Sequence, residues 1–145
     1  MSEPGEPMTS RGAPFPVITV AAVVIRDANG LLLTVRKKGA VRFMLPGGKP
    51  EPGEDRRRTA LRESLEELSV ALRPDDLVEL GVFRADAANE VGHLVEATVF
   101  EHPYVRVDAP AAEIAELQWI DIASTDTPLA PLLADHIIPL LLARG

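Results

Sequence analysis

Glu63, Glu66 and Glu67 are the residues of this chain whose type and spacing first suggest chemistry. On an α-helix, Glu63 and Glu67 are i,i+4 neighbours and Glu63 and Glu66 are i,i+3 neighbours. Like charges so placed destabilise a bare helix by roughly 0.2–0.5 kcal/mol per pair. A divalent cation reverses the sign of that term. Hard cations such as Mg²⁺ take carboxylate oxygens and keep waters and phosphate oxygens in their other positions. A solvated acidic face is the other reading of the same three residues. The preceding loop bears on the choice. Gly47 and Gly48 allow close backbone approach, and Pro46 and Pro50 stiffen the turn. A rigid glycine loop leading into a carboxylate helix can hold a metal-bound polyphosphate. It is not a P-loop, because Glu54 stands where the lysine of that motif is required.

The elements that must position these groups follow from local pattern. Asp55 can cap a helix running to about Leu68. At about 100° per residue, Ala60, Leu61, Ser64, Leu65 and Leu68 fall on a core face, with the three glutamates opposite. Before the helix, Val17 to Arg26 reads as a buried strand. Asp27 to Gly30 carries an Asn-Gly turn, and Leu31 to Arg36 reads as the return strand of a hairpin. Arg42 to Leu45 is a candidate short strand, and Pro46 to Gly53 is too rich in Pro and Gly for a regular element. After the helix, Leu77 to Arg84 and Leu94 to Phe100 read as strands flanking a polar loop, Ala85 to His93. Pro110 to Ile114 reads as a helical turn, Leu117 to Ile120 as a strand, and Pro128 to Ala143 as a terminal helix that Pro139 should kink. Strands on both sides of a central helix imply one mixed α/β domain over residues 17–145, with residues 1–16 a flexible leader.

Composition narrows the classes of function. A chain of 145 residues predicts a single domain with a real core, which Leu, Val, Ile and Ala must fill because aromatics are only 4%. The 22 acidic against 15 basic residues give a formal charge of −7, which argues against broad nucleic-acid or anionic-membrane binding. No stretch is long and apolar enough to span a membrane, and no secretory signal is visible. The absence of cysteine excludes disulfides, thiolate metal sites and a cysteine nucleophile, and suits a cytoplasmic location.

The stretch from Gly48 to Val70 resembles the signature of the Nudix hydrolases: G, five residues, E, seven residues, R-E-U-x-E-E-x-G-U, with U a bulky aliphatic. Gly48, Glu54, Arg62, Glu63, Glu66, Glu67 and Val70 stand in register. Ser64 replaces an aliphatic, and Ser69 replaces the glycine near the helix end. The resemblance implies a Nudix-type α/β/α sandwich with a mixed sheet. It implies that Glu63, Glu66, Glu67 and the carbonyl of Gly47 bind Mg²⁺ or Mn²⁺. Arg62 would orient a glutamate and Glu54 would support the site from the loop. The implied reaction is attack of water on a phosphorus of a nucleoside diphosphate linked to another group, with Glu67 or Glu63 the first choices for the base.

Outside the signature, the resemblance makes Glu113 a further candidate metal ligand. Trp119 is a core or pocket-wall aromatic, or a platform for a base. Asn89 lies in a loop that could border the substrate pocket, together with Glu90 and His93. Lys37, Lys38 and Arg42 either meet phosphates or form a solvated hairpin end. His102 and His136 lack metal-ligand spacing. Subfamily motifs for ADP-ribose, dinucleoside polyphosphates and NADH are missing. Elimination leaves a (deoxy)nucleoside triphosphate pyrophosphohydrolase acting on a small-molecule nucleotide. The alternative is a catalytically silent module of the same fold that senses a nucleotide or a partner. The intact carboxylates favour the enzyme. Finally, Leu132, Leu133, Ile137, Ile138, Leu140, Leu141 and Leu142 exceed one apolar stripe. That predicts a homodimer burying the surplus, unless a break at Pro139 folds both faces onto one core.

Overall fold

The computed structural model describes residues 15–144, so the expected leader lies outside the described residues apart from Phe15 and Pro16. Strand β1 (Val17–Ile25) is the centre of the sheet. It runs parallel to β5 (Leu94–His102) on one edge and antiparallel to β3 (Gly47–Gly48) on the other. β4 (Val78–Asp86) extends the sheet beyond β5, giving the order β3-β1-β5-β4. A second sheet joins β2 (Leu32–Lys37) to β6 (Ile114–Ile120). Side chains of a strand alternate between faces. Ala21, Val23 and Ile25 pack with Ala60 and Leu68 of helix α1 (Arg56–Leu68). Ala22 and Val24 pack with Leu133, Ile137, Ile138 and Leu141 of the C-terminal helical segment. Helices on both faces of a mixed sheet make the expected α/β/α sandwich.

The structure changes several local expectations. β2 is not the hairpin partner of β1, because both edges of β1 are occupied. Asp27 Oδ1 accepts the N–H groups of Asn29 and Leu31, both at 2.9 Å, and Gly30 takes φ +80°. After one bridge, Arg26 to Leu32, the chain leaves for β6. Conversely, Gly47–Gly48 forms a strand where the composition argued against one. It sits so close to β1 that a Cβ at Gly47 would collide with the backbone of Ala21 and Ala22. The segment 42–45 forms only isolated bridges, Val35 to Met44 and Phe43 to Leu129. Residues 112–113 make a turn rather than a helix, and β6 starts earlier than Leu117.

Helix α1 begins as expected, with the Asp55 side chain accepting the N–H of Arg58 at 2.8 Å. Its rotation differs. The buried side chains are Thr59, Ala60, Ser64, Glu67 and Leu68, whereas Leu65 is 51% exposed. The expected set of glutamates opposite the core is therefore split, with Glu67 turned inward to meet polar partners. The Ser64 hydroxyl is buried with no hydrogen-bond partner among the described residues. Ser69 ends the helix in the left-handed region, φ 58° and ψ 32°, donating its N–H to Leu65.

At the other end, Pro139 lacks the N–H an α-helix needs. The helix widens just before it into a π turn, Leu133–Ile137, in which Ile138 donates to Leu133, followed by α2 (Ile138–Arg144). This lets Leu133, Ile137, Ile138 and Leu141 all reach the core, leaving Leu142 exposed. The apolar surplus behind the homodimer expectation is thus absorbed largely within one chain.

Two stability outcomes follow. Leu68→Ala should cost about 2–5 kcal/mol as a core truncation, whereas Leu65→Ala should stay within about 0.5 kcal/mol as a surface change. Equal costs in denaturant unfolding would contradict the helix rotation. Ser69→Gly should raise stability by roughly 0.5–1 kcal/mol, because glycine adopts the left-handed region without a Cβ penalty. No gain in the same measurement would mean the serine carries no strain.

Candidate active site

Three elements converge on one carboxylate. Glu67, on the last turn of α1, is 1% exposed. Its Oε1 accepts the backbone N–H of Gly47 in β3 at 3.1 Å, and its Oε2 faces Nζ of Lys37, at the end of β2, at 3.1 Å. Burial raises the Glu67 carboxyl to about 7, opposed by Lys37 and by the Gly47 N–H. One turn earlier, Glu63 lies half-buried beside Gly48, where a Cβ would run into its carboxylate. Burial also raises its pKa, against the pull of Arg62 and Lys37. Glu66 is about half exposed and pairs with Arg62 Nη1 at 3.2 Å. The three carboxylates expected together opposite the core are therefore placed differently. Glu63 and Glu67 face the glycine strand, and Glu66 stays at the rim. Among the described residues no three acidic or histidine side chains cluster tightly enough to cage an ion by themselves.

Arg62 and Glu54 form the frame. Arg62 Nε and Nη2 donate to the two oxygens of Glu54, both at 2.8 Å, and Nη2 also donates to the Lys49 carbonyl at 2.9 Å. The Thr59 hydroxyl and the Glu51 N–H also donate to Glu54 Oε1. The bidentate guanidinium, helped by the Glu51 N–H, holds the Glu54 carboxyl down to about 2. One arginine thus fastens the 49–54 loop to the helix while its third nitrogen reaches Glu63 and Glu66.

A cavity of about 470 Å³ opens beside this cluster. Lys37, Gly47, Gly48, Lys49 and Glu63 line one end. Asp86 lines it from the end of β4 and Asn89 and Glu90 from the β4–β5 loop, and Val20, Ala22, Val95, Ala130 and Leu132 give apolar walls. Asn89 therefore reaches the pocket. Trp119 does not. Its ring packs at a tilt against Tyr104, centroids 5.6 Å apart, beside a separate hollow with Arg26 and Asp27. Glu113 is exposed and outside the cavity lining, although its backbone accepts Lys38 N–H and the nearby Ala111 N–H bonds the Glu67 carbonyl. His102 is structural: Nε2 accepts the Arg73 N–H at 3.0 Å, and the ring is buried. His136 packs near Phe83. Sequence reasoning undervalued Lys37. Its one available signal was its place at the end of a strand leading toward an acidic helix.

A family model described as the NUDIX domain matches residues 16–141. The chain is 26% identical over 141 residues to a "MutT-like protein" of Streptomyces ambofaciens, covering 97% of this chain and 86% of that one. It is 28% identical over 102 residues to a protein of Bacillus subtilis (strain 168) provisionally named an 8-oxo-dGTP diphosphatase, covering 69% of this chain and 64% of that one. Its fold matches the crystal structure of a MutT protein from Methanosarcina mazei Go1 with a TM-score of 0.72 at 23% identity, over 90% of this chain and 96% of the other. The chain belongs to the Nudix family and is a MutT-like Nudix hydrolase. Enzymes of this family generally depend on divalent metals and act on small-molecule nucleotides.

The Glu54–Arg62 pair should leave a pH signature. Because the folded carboxyl is depressed from 4.5 to about 2, its stabilisation is complete above pH 4.5 and is lost as pH falls toward 2. The stability advantage of wild type over Glu54→Gln should narrow across that interval in denaturant titrations. A gap independent of pH would show that ionisation of Glu54 contributes nothing to the fold.

Proposed function

We propose that this Nudix hydrolase cleaves a diphosphate linkage in a nucleoside diphosphate derivative, with a (deoxy)nucleoside triphosphate as the first choice and Mg²⁺ or Mn²⁺ as the cofactor. The observation that carries the reading is the two-ended cavity. Gly48 pairs with Ala21 and Val95 with Ile18, three residues earlier in β1. At roughly 3.3 Å per residue the two ends are about 10 Å apart. That suits a molecule with phosphates beside Gly48, Lys49 and Glu63 and a heterocycle near Asn89. The provisional name of the Bacillus subtilis relative supports the same choice.

The donor set suits a hard divalent cation. Glu63 and Glu67 present carboxylate oxygens, and Lys37 shows that the buried Glu67 takes a positive charge on Oε2. Glu63, Glu66 and Glu67 would hold the metal, with the Gly47 carbonyl and Glu113 as further ligands. When bound, the metal supplies charge stabilisation on the phosphates and a lowered pKa for water. The residues of this chain do the rest. Arg62 keeps Glu63 and Glu66 oriented, and Glu54 fixes Arg62. Glu67 or Glu63 accepts the proton of the attacking water. Asn89 offers a donor and an acceptor to a base. Trp119 has no part in this arrangement. The cysteine-free composition suits a cytoplasmic enzyme, and no helix among the described residues is long and apolar enough to cross a membrane.

A hydrolysis screen with Mg²⁺ or Mn²⁺ over nucleoside triphosphates, nucleoside diphosphate sugars, ADP-ribose, dinucleoside polyphosphates and coenzyme A, read by chromatographic separation of the products, tests the reading. Turnover should be highest for a nucleoside triphosphate, with diphosphate released. Glu67→Gln, whose amide oxygen can still accept the Gly47 N–H, should keep the circular dichroism spectrum and lower turnover at least about tenfold. Wild-type turnover in this variant at saturating Mg²⁺ would remove Glu67 from catalysis.

A further inference from the structure

We propose that Lys37 is a displaceable counter-cation that couples metal binding to phosphate capture. Its ammonium neutralises Glu67 until a divalent ion takes that carboxylate, and it then turns into the pocket to engage a phosphate oxygen of the substrate. This rests on the reading of Glu67 as a metal ligand.

The argument starts from acceptor accounting. Glu67 is buried and has two oxygens. Gly47 N–H satisfies Oε1 and Lys37 Nζ meets Oε2. A buried carboxylate without a partner is costly, so Oε2 takes either a proton or a cation, and here the cation that meets it is Lys37. An ammonium has no lone pair to offer a metal, and two cations on one oxygen repel strongly inside a protein. The lysine and a divalent ion therefore exclude each other there.

Lys37 is also built to leave. Its side chain is 39% exposed, and Glu67 is its one acceptor among the described residues. It lines the same cavity as Gly48, Lys49 and Glu63, so its head can move from the buried oxygen into the space a phosphate would fill. The β2–β6 ladder slips between Arg36 and Lys37, with Arg36 opposite Glu116 and Lys37 opposite Ile114. Bulges of this kind re-aim side chains. The neighbouring cation cannot substitute, since Arg36 is committed to the Ala40 carbonyl and to Glu116. The exchange is reciprocal. Metal frees the lysine for phosphate, and phosphate that holds the lysine leaves Glu67 to the metal, so each should tighten the other.

Mn²⁺ binding to the purified full-length protein, without substrate, is the primary test, read by calorimetry or by the spin resonance of free Mn²⁺. Lys37→Met keeps an apolar stem and removes the charge. It should bind Mn²⁺ at least about fivefold more tightly than wild type, the low end of what removing a like charge at this distance yields. Lys37→Arg should stay within about twofold of wild type because it keeps the charge. Inorganic pyrophosphate should tighten Mn²⁺ binding in wild type and do so less in Lys37→Met. A merely structural lysine would loosen the metal site when removed, so unchanged or weaker Mn²⁺ affinity in Lys37→Met overturns the proposal. If that variant does not fold, wild type still decides the matter. Acetylation of Lys37, followed by mass spectrometry, should rise when Mn²⁺ is added, and no rise overturns the proposal. Wild type that binds no Mn²⁺ would overturn the metal reading of Glu67 itself, an outcome distinguishable from the other two.

Discussion

A carboxylate in the interior must be matched by donors, and Glu67 is matched by two that come from different elements. The Gly47 N–H arrives from β3 and the Lys37 ammonium from β2. Helix α1 therefore cannot rotate freely under its aliphatic residues. It is turned until Glu67 reaches these partners, and Leu65 is left at the surface as a consequence. The same requirement reaches into the sheet. Gly47 can present its N–H there only by lying against Ala21 and Ala22, and only a residue without a Cβ fits. The two glycines are thus a packing condition for the charged site as well as a turn signal.

The Arg62–Glu54 pair solves a different problem. The loop from Lys49 to Glu54 has little regular structure, yet its first residue, Lys49, lines the cavity. Arg62 binds both oxygens of Glu54 and the Lys49 carbonyl, so the helix carries its own loop. Its remaining nitrogen offsets repulsion between Glu63 and Glu66. Paired charges at the rim and one matched charge in the interior divide the acidic residues into a framework set and a site set. That division arises from solvation: Glu66 remains in water, while Glu67 must be compensated by the protein.

The cavity inherits its polarity from sheet topology. The glycine strand pairs with β1 only at Ala21 and Ala22, whereas β5 pairs along all of β1 and starts beside Val17, so the charged end and the loop carrying Asn89 are placed along one strand. The walls between them come from alternating small and aliphatic residues of β1, β5 and the C-terminal segment. Asp86, at the end of a β4 that runs two residues further than its apolar pattern indicates, and Glu90, next to Asn89 in the following loop, join the lining.

Local chemistry determined much of this protein from the sequence alone. The Asp55 cap, the extent of α1 and the strands β1, β4 and β5 depend on near neighbours and are legible in order along the chain, and the resemblance of residues 48–70 to the Nudix signature is read from spacing alone. Tertiary structure decided the rest, because it depends on which distant groups compete for the same partner. β1 abandons the local hairpin when β3 and β5 take both of its edges. A segment of glycines becomes a strand because β1 needs a close neighbour. The rotation of α1 follows the polar partners of Glu67 rather than the count of leucines, since a buried charge left unmatched costs more than one exposed aliphatic side chain. Trp119 and Lys37 exchange their expected prominence for the same reason: pairing of β2 with β6 carries the tryptophan to another hollow and delivers the lysine to Glu67, the one buried carboxylate among the described residues.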